Sequence, residues 1–502
     1  MDYLIGVDIG TQGTKTTLLD EGGRLVQEAF EASKLLHPEP QAVVQDPEEM
    51  LGSVIRTIGA VMESSSISPG AVAGVGVSGQ MAGVMGVGAD GMAATPYDSW
   101  LDTRCGKYRG PFLEFGEERV ISLTGTPVTY AHGPKILWWK NEHPDAYKNI
   151  CKFVQPSAYC VMRLCGMKGE DAFIDHTYIH FSGFADTQKR QWSGELLDGL
   201  GVGAAKMPRI VRPYDVVGRL APEMAGRCGL AVGTPFVAGC GDTAASSFGA
   251  GIISSGLLFD VSGTASVFAC ATDVYSPDLK HKTILYAPSV IEGLYTPMAY
   301  INGGGMCLKW FRDDVLGKAK SYAELDAMAG EVPAGSGDLL FLPHFSGRVC
   351  PNDALVRGSY LNLGWMHNTA HMYRSIMEGF AYEYGIYADV IKELAPSLVF
   401  ERVIGVGGGS KSAVFNQIKA DVLGVPISTI ALADTASLGC CAIAGHGVGL
   451  YGDLTALVRS SSNIISTVRP DPGRHEKYQP RKHIYAQTFD ALHGIYGSLQ
   501  RL

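Results

Sequence analysis

Positive charge is in short supply in this sequence. Its 502 residues carry 41 lysines and arginines against 50 aspartates and glutamates, a net charge of −9. A chain that grips a nucleic-acid backbone shows a basic excess or stripe, and neither is present, so no nucleic-acid partner is expected. Charged residues of both signs make up only 18% against 46% hydrophobic. That excludes a mostly disordered chain and supports a sizeable core. The eleven cysteines include no C-x-x-C, and the nearest pairs are Cys440–Cys441 and Cys160–Cys165. An odd, scattered set in so long a chain is no disulfide scaffold. It reads as buried free thiols in a reducing compartment. The N-terminus lacks the basic start and apolar stretch of an export signal, with Asp2 and Asp8 standing there instead. A cytoplasmic location is expected. Two long uncharged stretches, Ser64–Ala89 and Thr435–Gly452, are dense in glycine and hold Ser, Gln or His. They fail as lipid spans, so no membrane partner is expected.

Glycine is plentiful, at 63 residues against a usual ~7%. No Gly-X-Y period accompanies it, which excludes collagen and leaves tight turns or close backbone approaches. At about 150 residues per domain the length predicts two large domains or three ordinary ones. The chain also resembles itself across its midpoint. Residues 3–9 and 16–19 are apolar runs separated by a Gly/Thr-rich turn, with Asp8 just before Gly10-Thr11. Near residue 260 the pattern returns, with Leu257 to Asp260, then Gly263-Thr264, then a second apolar run ending at Cys270. Each reads as a β-hairpin, and the pair suggests a duplicated domain with a cleft between the hairpin tips. Elsewhere the periods alternate. Glu48–Met62 is a helix capped by Asp46 with Pro47 at its first position. Ala71–Val77 is a buried strand, Thr369–Leu394 a long helix, Val403–Val406 a strand, residues 411–423 a helix and Pro426–Ile430 a strand. Such alternation predicts the α/β class. We place the domains at 1–247 and 248–502, the boundary falling in the small-residue stretch Ala244–Gly251.

Several motifs could carry chemistry. Gly74 to Gly79 and Gly86 to Gly91 both fit G-x-G-x-x-G. In a chain this rich in glycine about one such match arises by chance, and turn and strand follow Gly79 where a dinucleotide site needs a helix. Gly405 to Ser412 nearly spells a P-loop, but Ser410 replaces its second obligatory glycine. Three glycines between a strand and a helix can still receive a phosphate or a flat ring. Asp242 follows the apolar run 235–238 at the start of a small-residue helix. Its local reading is a helix cap, and a general base is compatible with that. His176/His180 and His367/His371 are spaced i, i+4 without the glutamate of H-E-x-x-H, and read as satisfied or surface histidines. Met81, Met85, Met92, Trp138 and Trp139 read as core.

With these residues in view, the chain resembles the FGGY family of carbohydrate kinases, in its xylulokinase-like branch. The resemblance runs from Asp8 to about Gly452. It rests on D-x-G-T-x-x-x-K (Asp8 to Lys15), G-Q-M (Gly79 to Met81), W-L-D-T-R (Trp100 to Arg104) and G-x-G-D-x-A-A (Gly239 to Ala245). Further on it rests on S-G-T (Ser262 to Thr264) and G-G-G-S-K-S-x-x-x-N-Q-x-x-A-D (Gly407 to Asp421). The resemblance implies two actin-like (ribonuclease H-like) domains with a nucleotide/sugar cleft between them. It implies ATP and Mg²⁺, a small sugar or polyol substrate, and a homodimer, as family members often are. Asp242 is implied as catalytic base and Asp8 as the residue near Mg²⁺. Thr11, Gln12, Lys15, Ser262, Gly263, Thr264 and Gly304 are implied around the phosphates, and Gly408, Gly409 and Asn416 around the nucleoside. Gln80, Met81, Ala82, Asp102, Arg104 and Asp242 are implied on the sugar side.

The sequence departs from the family at four places. Ala82 stands where G-Q-M-H-G has His. His132 precedes Gly133-Pro134-Lys135 where a small hydroxyl or Pro is usual. Asn362 replaces a usual Gly, and Asp434 a common Glu. The reading is an active kinase with an altered sugar pocket, acting on a xylulose-like pentulose. The alternatives are another acceptor (ribulose, erythrulose, glycerol or a gluconate-like acid), a non-catalytic actin-like sugar or nucleotide sensor, and an NAD-dependent oxidoreductase.

Overall fold

A computed structural model describes residues 1–263, 266–431 and 434–502. They form two compact units, each built from separated segments. The first comprises Met1–Ile253, Tyr286–Tyr295 and Asp434–Ser462; the second takes the rest of the chain from Ser254 to Leu502.

In the first unit the strands lie in the order Leu25–Ala32, Gly13–Asp20, Tyr3–Ile9, Val72–Gly79, Pro235–Val237, Val216–Arg219. The first three form an antiparallel meander. Val72–Gly79 runs parallel to Tyr3–Ile9, and Pro235–Val237 parallel to Val72–Gly79. Val216–Arg219 closes the sheet antiparallel. The two central strands are buried almost throughout, as both-sided coverage requires. The edge strand Leu25–Ala32 alternates in exposure.

One face is covered by the helix Pro47–Ser65. Asp46 caps it as expected, accepting from the Glu48 N–H, and Met50, Leu51, Val54, Ile55, Ile58, Val61 and Met62 are buried. Against the other face lies Thr435–Gly447, a helix with almost no apolar asymmetry but many small residues. A Cβ on Gly6 would stand 2.4 Å from the Ser437 carbonyl oxygen, and one on Gly76 2.4 Å from that of Cys440. Glycine is the only residue that permits this approach.

The second unit repeats the scheme. Its strands run Tyr295–Ile301, Ser266–Cys270, Leu257–Ser262, Arg402–Val406, Ile427–Ile430, Ile464–Val468. Again an antiparallel meander is followed by two parallel strands and one antiparallel closing strand. The first five strands match those of the first unit in chain order as well as in space. Among these six strands the closing one differs, preceding its partner in the first unit and following it in the second. The repeat across the midpoint is therefore a repeat of topology. The long helix spans Thr369–Leu394 as its periodicity predicts. The helix expected at 411–423 begins at Ala413, because Gly408–Lys411 is a 3₁₀ turn and the Ser412 hydroxyl caps the helix at the Phe415 N–H. No helix among the described residues is long and apolar enough to cross a membrane.

Candidate active site

The first unit gathers its acidic residues at the C-terminal end of Val72–Gly79. Asp8 is paired with Ser78 on one side, and Cys240–Gly241 runs beside Ser78 and Gly79 on the other. Asp8, near the end of one strand, and Asp242, just after the end of another, thus flank the end of Val72–Gly79. The Ser78 hydroxyl donates to Asp8 at 2.6 Å. Burial raises the Asp8 carboxyl to about 6, with Asp434 pushing the same way against the Ser78 bond and Lys15. Asp242 is raised to about 7, first by burial and then by the charge of Asp8, against two bonds from Thr243. Like charges held together in a partly dry site disfavour double ionisation.

The local cap reading of Asp242 is corrected. Gly241 is the N-cap of Asp242–Gly249 with no side-chain bond. The Asp242 carboxylate accepts only from the adjacent Thr243 N–H at 2.6 Å and hydroxyl at 3.2 Å. Its turn is held from behind. Gly241 N–H donates to the Thr177 hydroxyl at 2.9 Å, which donates to buried Asp175 at 2.6 Å. The Tyr178 hydroxyl donates to the Gly79 carbonyl at 2.7 Å and lies 3.2 Å from that of Cys240. Gly239 has φ +73°, and a Cβ there would stand 1.8 Å from the Val77 carbonyl oxygen.

Lys15 bridges Glu28 at 2.8 Å and Asp434 at 3.2 Å. Burial opposes its charge, but the bond to Glu28 and the charge of Asp434 outweigh it and hold its proton more firmly than usual. Asp434 also caps Thr435–Gly447, accepting from the Ser437 N–H and hydroxyl. A short carboxylate suits that cap better than the family's Glu. The Thr11 hydroxyl accepts from Trp100 Nε1 at 2.8 Å, and Gln12 is exposed. Gln80 is buried, its amide donating to Gln45 at 2.7 Å. Met81 packs on Gly241, where a Cβ would stand 2.5 Å from its sulfur. Ala82 has φ +61°, a left-handed backbone that a non-glycine residue rarely holds without a surrounding reason.

Asp102 and Arg104 belong to a denser network than their motif suggests. Asp102 accepts from the Val43 N–H at 2.9 Å and from Arg104 Nε at 2.9 Å. Arg104 reaches Asp98 at 2.8 Å and Glu39 at 3.0 Å, and its guanidinium lies 4.3 Å from the Trp138 ring centre. Trp139 Nε1 donates to Asp98 at 2.5 Å. Burial raises Asp98 to about 7 even against Arg104. Sequence reasoning missed Asp98 and Asp175, each a polar residue ending a short strand, and Ser78, whose glycine motif marks the turn but not the bond to Asp8. Trp138 and Trp139 are buried as expected, but they also pack on and bond to this network.

The second unit holds a cavity of about 540 Å³, within the range of small-molecule sites. Ser262, Gly263, Gly304, Gly408 and Gly409 line it, with Tyr373, Phe380 and Phe415 as apolar wall. Two of these glycines are required by packing. A Cβ on Gly304 would stand 1.8 Å from the Ser266 hydroxyl oxygen, and one on Gly409 2.5 Å from Ser262 Cβ. A Cβ on Gly408 would meet no protein atom within 4 Å, so its bareness serves the cavity. Asn416 stands beside the 3₁₀ turn, donating to the Ser410 carbonyl at 2.7 Å, and its Oδ1 is buried without a partner. Thr264 lies outside the described residues. Beneath Ser262, fully buried Asp260 pairs with Lys419 and accepts from Ser262 at 2.7 Å and Tyr384 at 2.8 Å.

Other expectations divide. His367 and His371 are hydrogen-bonded near the surface. His176 is buried with one nitrogen bonded to the Ser289 carbonyl and the other unpaired, and His180 is buried with neither nitrogen bonded. The satisfied-histidine reading is corrected for both. Met81 and Met85 are core, whereas Met92 is exposed. Asn362 has φ +65°, which explains it, since Asn is the residue after Gly that best tolerates a left-handed backbone. Among the described residues no cluster of three or more His, Cys, Asp or Glu forms a metal nest.

Comparison with known proteins completes the assignment. The N-terminal domain of the FGGY family of carbohydrate kinases matches residues 3–249, and its C-terminal domain residues 260–448. The chain is 26% identical to the xylulose kinase of Bacillus subtilis over 501 residues, 98% of each chain. It is 26% identical to the gluconokinase of the same organism over 482 residues, 94% of this chain and 92% of that one. A ligand-bound xylulose kinase structure from Lactobacillus acidophilus superposes with a TM-score of 0.91 at 25% identity, covering 99% of this chain and 100% of that chain. The fold is that of two-domain sugar kinases of the actin-like superfamily, and the enzyme is an ATP-dependent sugar phosphotransferase. The chain belongs to the FGGY family of carbohydrate kinases, as a xylulokinase-like member.

Proposed function

We propose that this kinase phosphorylates a small ketose of the xylulose type and that Asp242 is its general base. The observation that carries the base assignment is the Asp242 carboxyl itself. It follows the strand Cys240–Gly241 within reach of the charge of Asp8, has no cationic partner, and is raised to about 7, the poise a general base needs near neutral pH. Asp242 takes the proton of the acceptor hydroxyl as that oxygen bonds to the γ-phosphorus of ATP, and the bond to the β–γ bridging oxygen breaks to release ADP. Thr177 and Tyr178 hold the turn so that the carboxylate cannot swing away, which is positioning rather than chemistry. In the second unit, Gly263, Gly304, Gly408 and Gly409 leave bare backbone for phosphates and a flat base, and the unpaired Asn416 Oδ1 offers an acceptor. The donor set suits Mg²⁺. Asp8 and Asp242 repel each other, Asp8 has only a hydroxyl partner, and Mg²⁺ takes one or two carboxylates and completes its shell with water and phosphate oxygens. When bound there, Mg²⁺ would neutralise phosphate charge. The substrate class draws on the xylulose kinases among the relatives. A gluconate-type acid is the second reading, favoured by the equal identity to a gluconokinase. Eleven free thiols agree with a reducing, cytoplasmic setting.

The test is ADP release from Mg²⁺-ATP across tetruloses, pentuloses, hexuloses, polyols and aldonates. A xylulose-type pentulose should respond most strongly. A response confined to aldonates would overturn the substrate class, and full activity of Asp242→Asn would overturn the base.

A further inference from the structure

Three buried polar side chains of the first unit have no partner in the network described above. His180 is 1% exposed and neither ring nitrogen is hydrogen-bonded. The Thr177 carbonyl acts on the ring electrostatically without reaching hydrogen-bond geometry. Thr126 is 4% exposed with an unpaired hydroxyl, and His132 is 2% exposed with an unpaired Nε2. Burial keeps both imidazoles neutral, so each offers one donor and one acceptor. Folded proteins leave few buried polar side chains unpaired, and three together call for a ligand.

His180 and Thr126 line one cavity of about 20 Å³, whose other walls include Phe112, Val128, Pro134 and Phe181. That volume takes a single water-sized group and nothing larger. His132 stands next to it, its ring 6.1 Å from that of Phe181 and within electrostatic reach of His180. Two of the segments that bound the cavity also support the candidate sugar side. His180 follows Thr177 and Tyr178, which hold the Asp242 turn. Pro134 belongs to the helix His132–Glu142, whose Lys135 donates to the Asp102 carbonyl at 2.8 Å and whose Trp139 bonds Asp98. The sequence points the same way. This chain has Ala82 where the resemblance predicts an imidazole, and it has an imidazole at His132 where a small side chain is usual.

We propose that His180 and Thr126, backed by His132, form a hydroxyl-sized subsite that receives one non-reacting hydroxyl of the acceptor and so determines which sugar the enzyme takes. The proposal rests on the sugar-acceptor reading above. A fixed internal water has the same hydrogen-bonding chemistry, and the experiment separates the two sources.

Thr126→Val removes the hydroxyl at nearly constant volume, and His180→Leu removes both ring nitrogens. KM and kcat would be measured for wild type and both variants with the best acceptor and with its series of single-deoxy analogues, alongside the Kd for ADP. The subsite predicts that KM for the parent acceptor rises about tenfold in each variant. One deoxy analogue, lacking the contacted hydroxyl, should change by less than about twofold, with the Kd for ADP unmoved. An equal change for the parent and every analogue, or no change for any, would make the cavity an internal water site and overturn the proposal. Thr126→Val keeps the test decisive if His180→Leu fails to fold. Wild type inert toward every acceptor would defeat the underlying reading instead, a separately visible result.

Discussion

The two units carry the same strand scheme and treat its buried acid in opposite ways. In the second, Asp260 sits in the middle strand with Lys419, Ser262 and Tyr384 around it, and both members of the ion pair are fully buried. Its charge is met on the spot, which leaves it inert and makes it a brace under the Ser262 turn. In the first, Asp8 and Asp242 keep part of their surface and find only hydroxyl and backbone donors; burial raises both carboxyls, and the charge of Asp8 raises Asp242 further. The difference teaches that the duplicated sheet does not make the chemistry. What makes it is that no cation pairs directly with Asp8 or Asp242, Lys15 being bonded to Glu28 and Asp434 instead, so that a proton or a metal ion must supply the missing charge.

The comparison can be broken from its reactive side first. Asp242→Asn should lower kcat by about 10³-fold or more while the Kd for nucleotide stays unchanged, as turnover and ADP titration would read. On the structural side, Lys419→Met should destabilise by about 3–5 kcal/mol, because Asp260 would be left charged and unpaired in the interior. The double variant Asp260→Asn/Lys419→Met should recover much of that loss in a denaturant titration. Losses that simply add would contradict the pairing.

A third test uses proton linkage. The Asp242 carboxyl is raised from 3.8 to about 7 and that of Asp8 to about 6. The folded, unliganded protein therefore keeps protons that the unfolded chain has already released. Stability contributed by these groups is present at acid pH and falls as pH rises from about 4 to 7. Asp242→Asn should then stabilise the unliganded protein at pH 8 by about 1–2 kcal/mol, the ideal linkage value being discounted for the surface both groups retain. At pH 5 it should do so by much less. A stabilisation independent of pH would contradict the shared-proton picture. The smallest effect concerns the glycines of the second unit. Gly408→Ala should leave thermal stability unchanged and weaken ADP binding about tenfold, as a methyl group enters the cavity. Gly409→Ala should lose stability as well, because its Cβ would collide with Ser262.

What could be read in the sequence follows the range of the forces involved. Asp46-Pro47 and the apolar stripe of Pro47–Ser65, both hairpins and Thr369–Leu394 were legible because each is announced within a few residues by caps, turns and period. The helix Thr435–Gly447 was legible as a core segment but not as a partner of Tyr3–Ile9. Its packing rests on glycine-to-carbonyl approaches between residues far apart in the chain, Gly6 to Ser437 and Gly76 to Cys440, and no apolar stripe marks the face. For the same reason nothing local marks that each compact unit is assembled from separated segments. Asp260 and Lys419 are 159 residues apart, and nothing local to either signals the other. In the site, Asp8, Lys15, Gly263 and Gly408 were marked by resemblance of motif. The unpaired state of His180 and the Asp98–Arg104–Trp139 frame depend on which partners fold against them, which one sequence does not contain.

The central claim is that Asp242, poised by burial and by Asp8, is the base of a sugar kinase. The most direct measurement is the pH dependence of kcat/KM for ADP release with D-xylulose and Mg²⁺-ATP, for wild type and Asp242→Asn side by side. The account predicts a wild-type profile that rises through an apparent pKa near 7 to a plateau, and a variant at least about 10³-fold lower with that limb gone. A variant that keeps both the rate and the rising limb would contradict it.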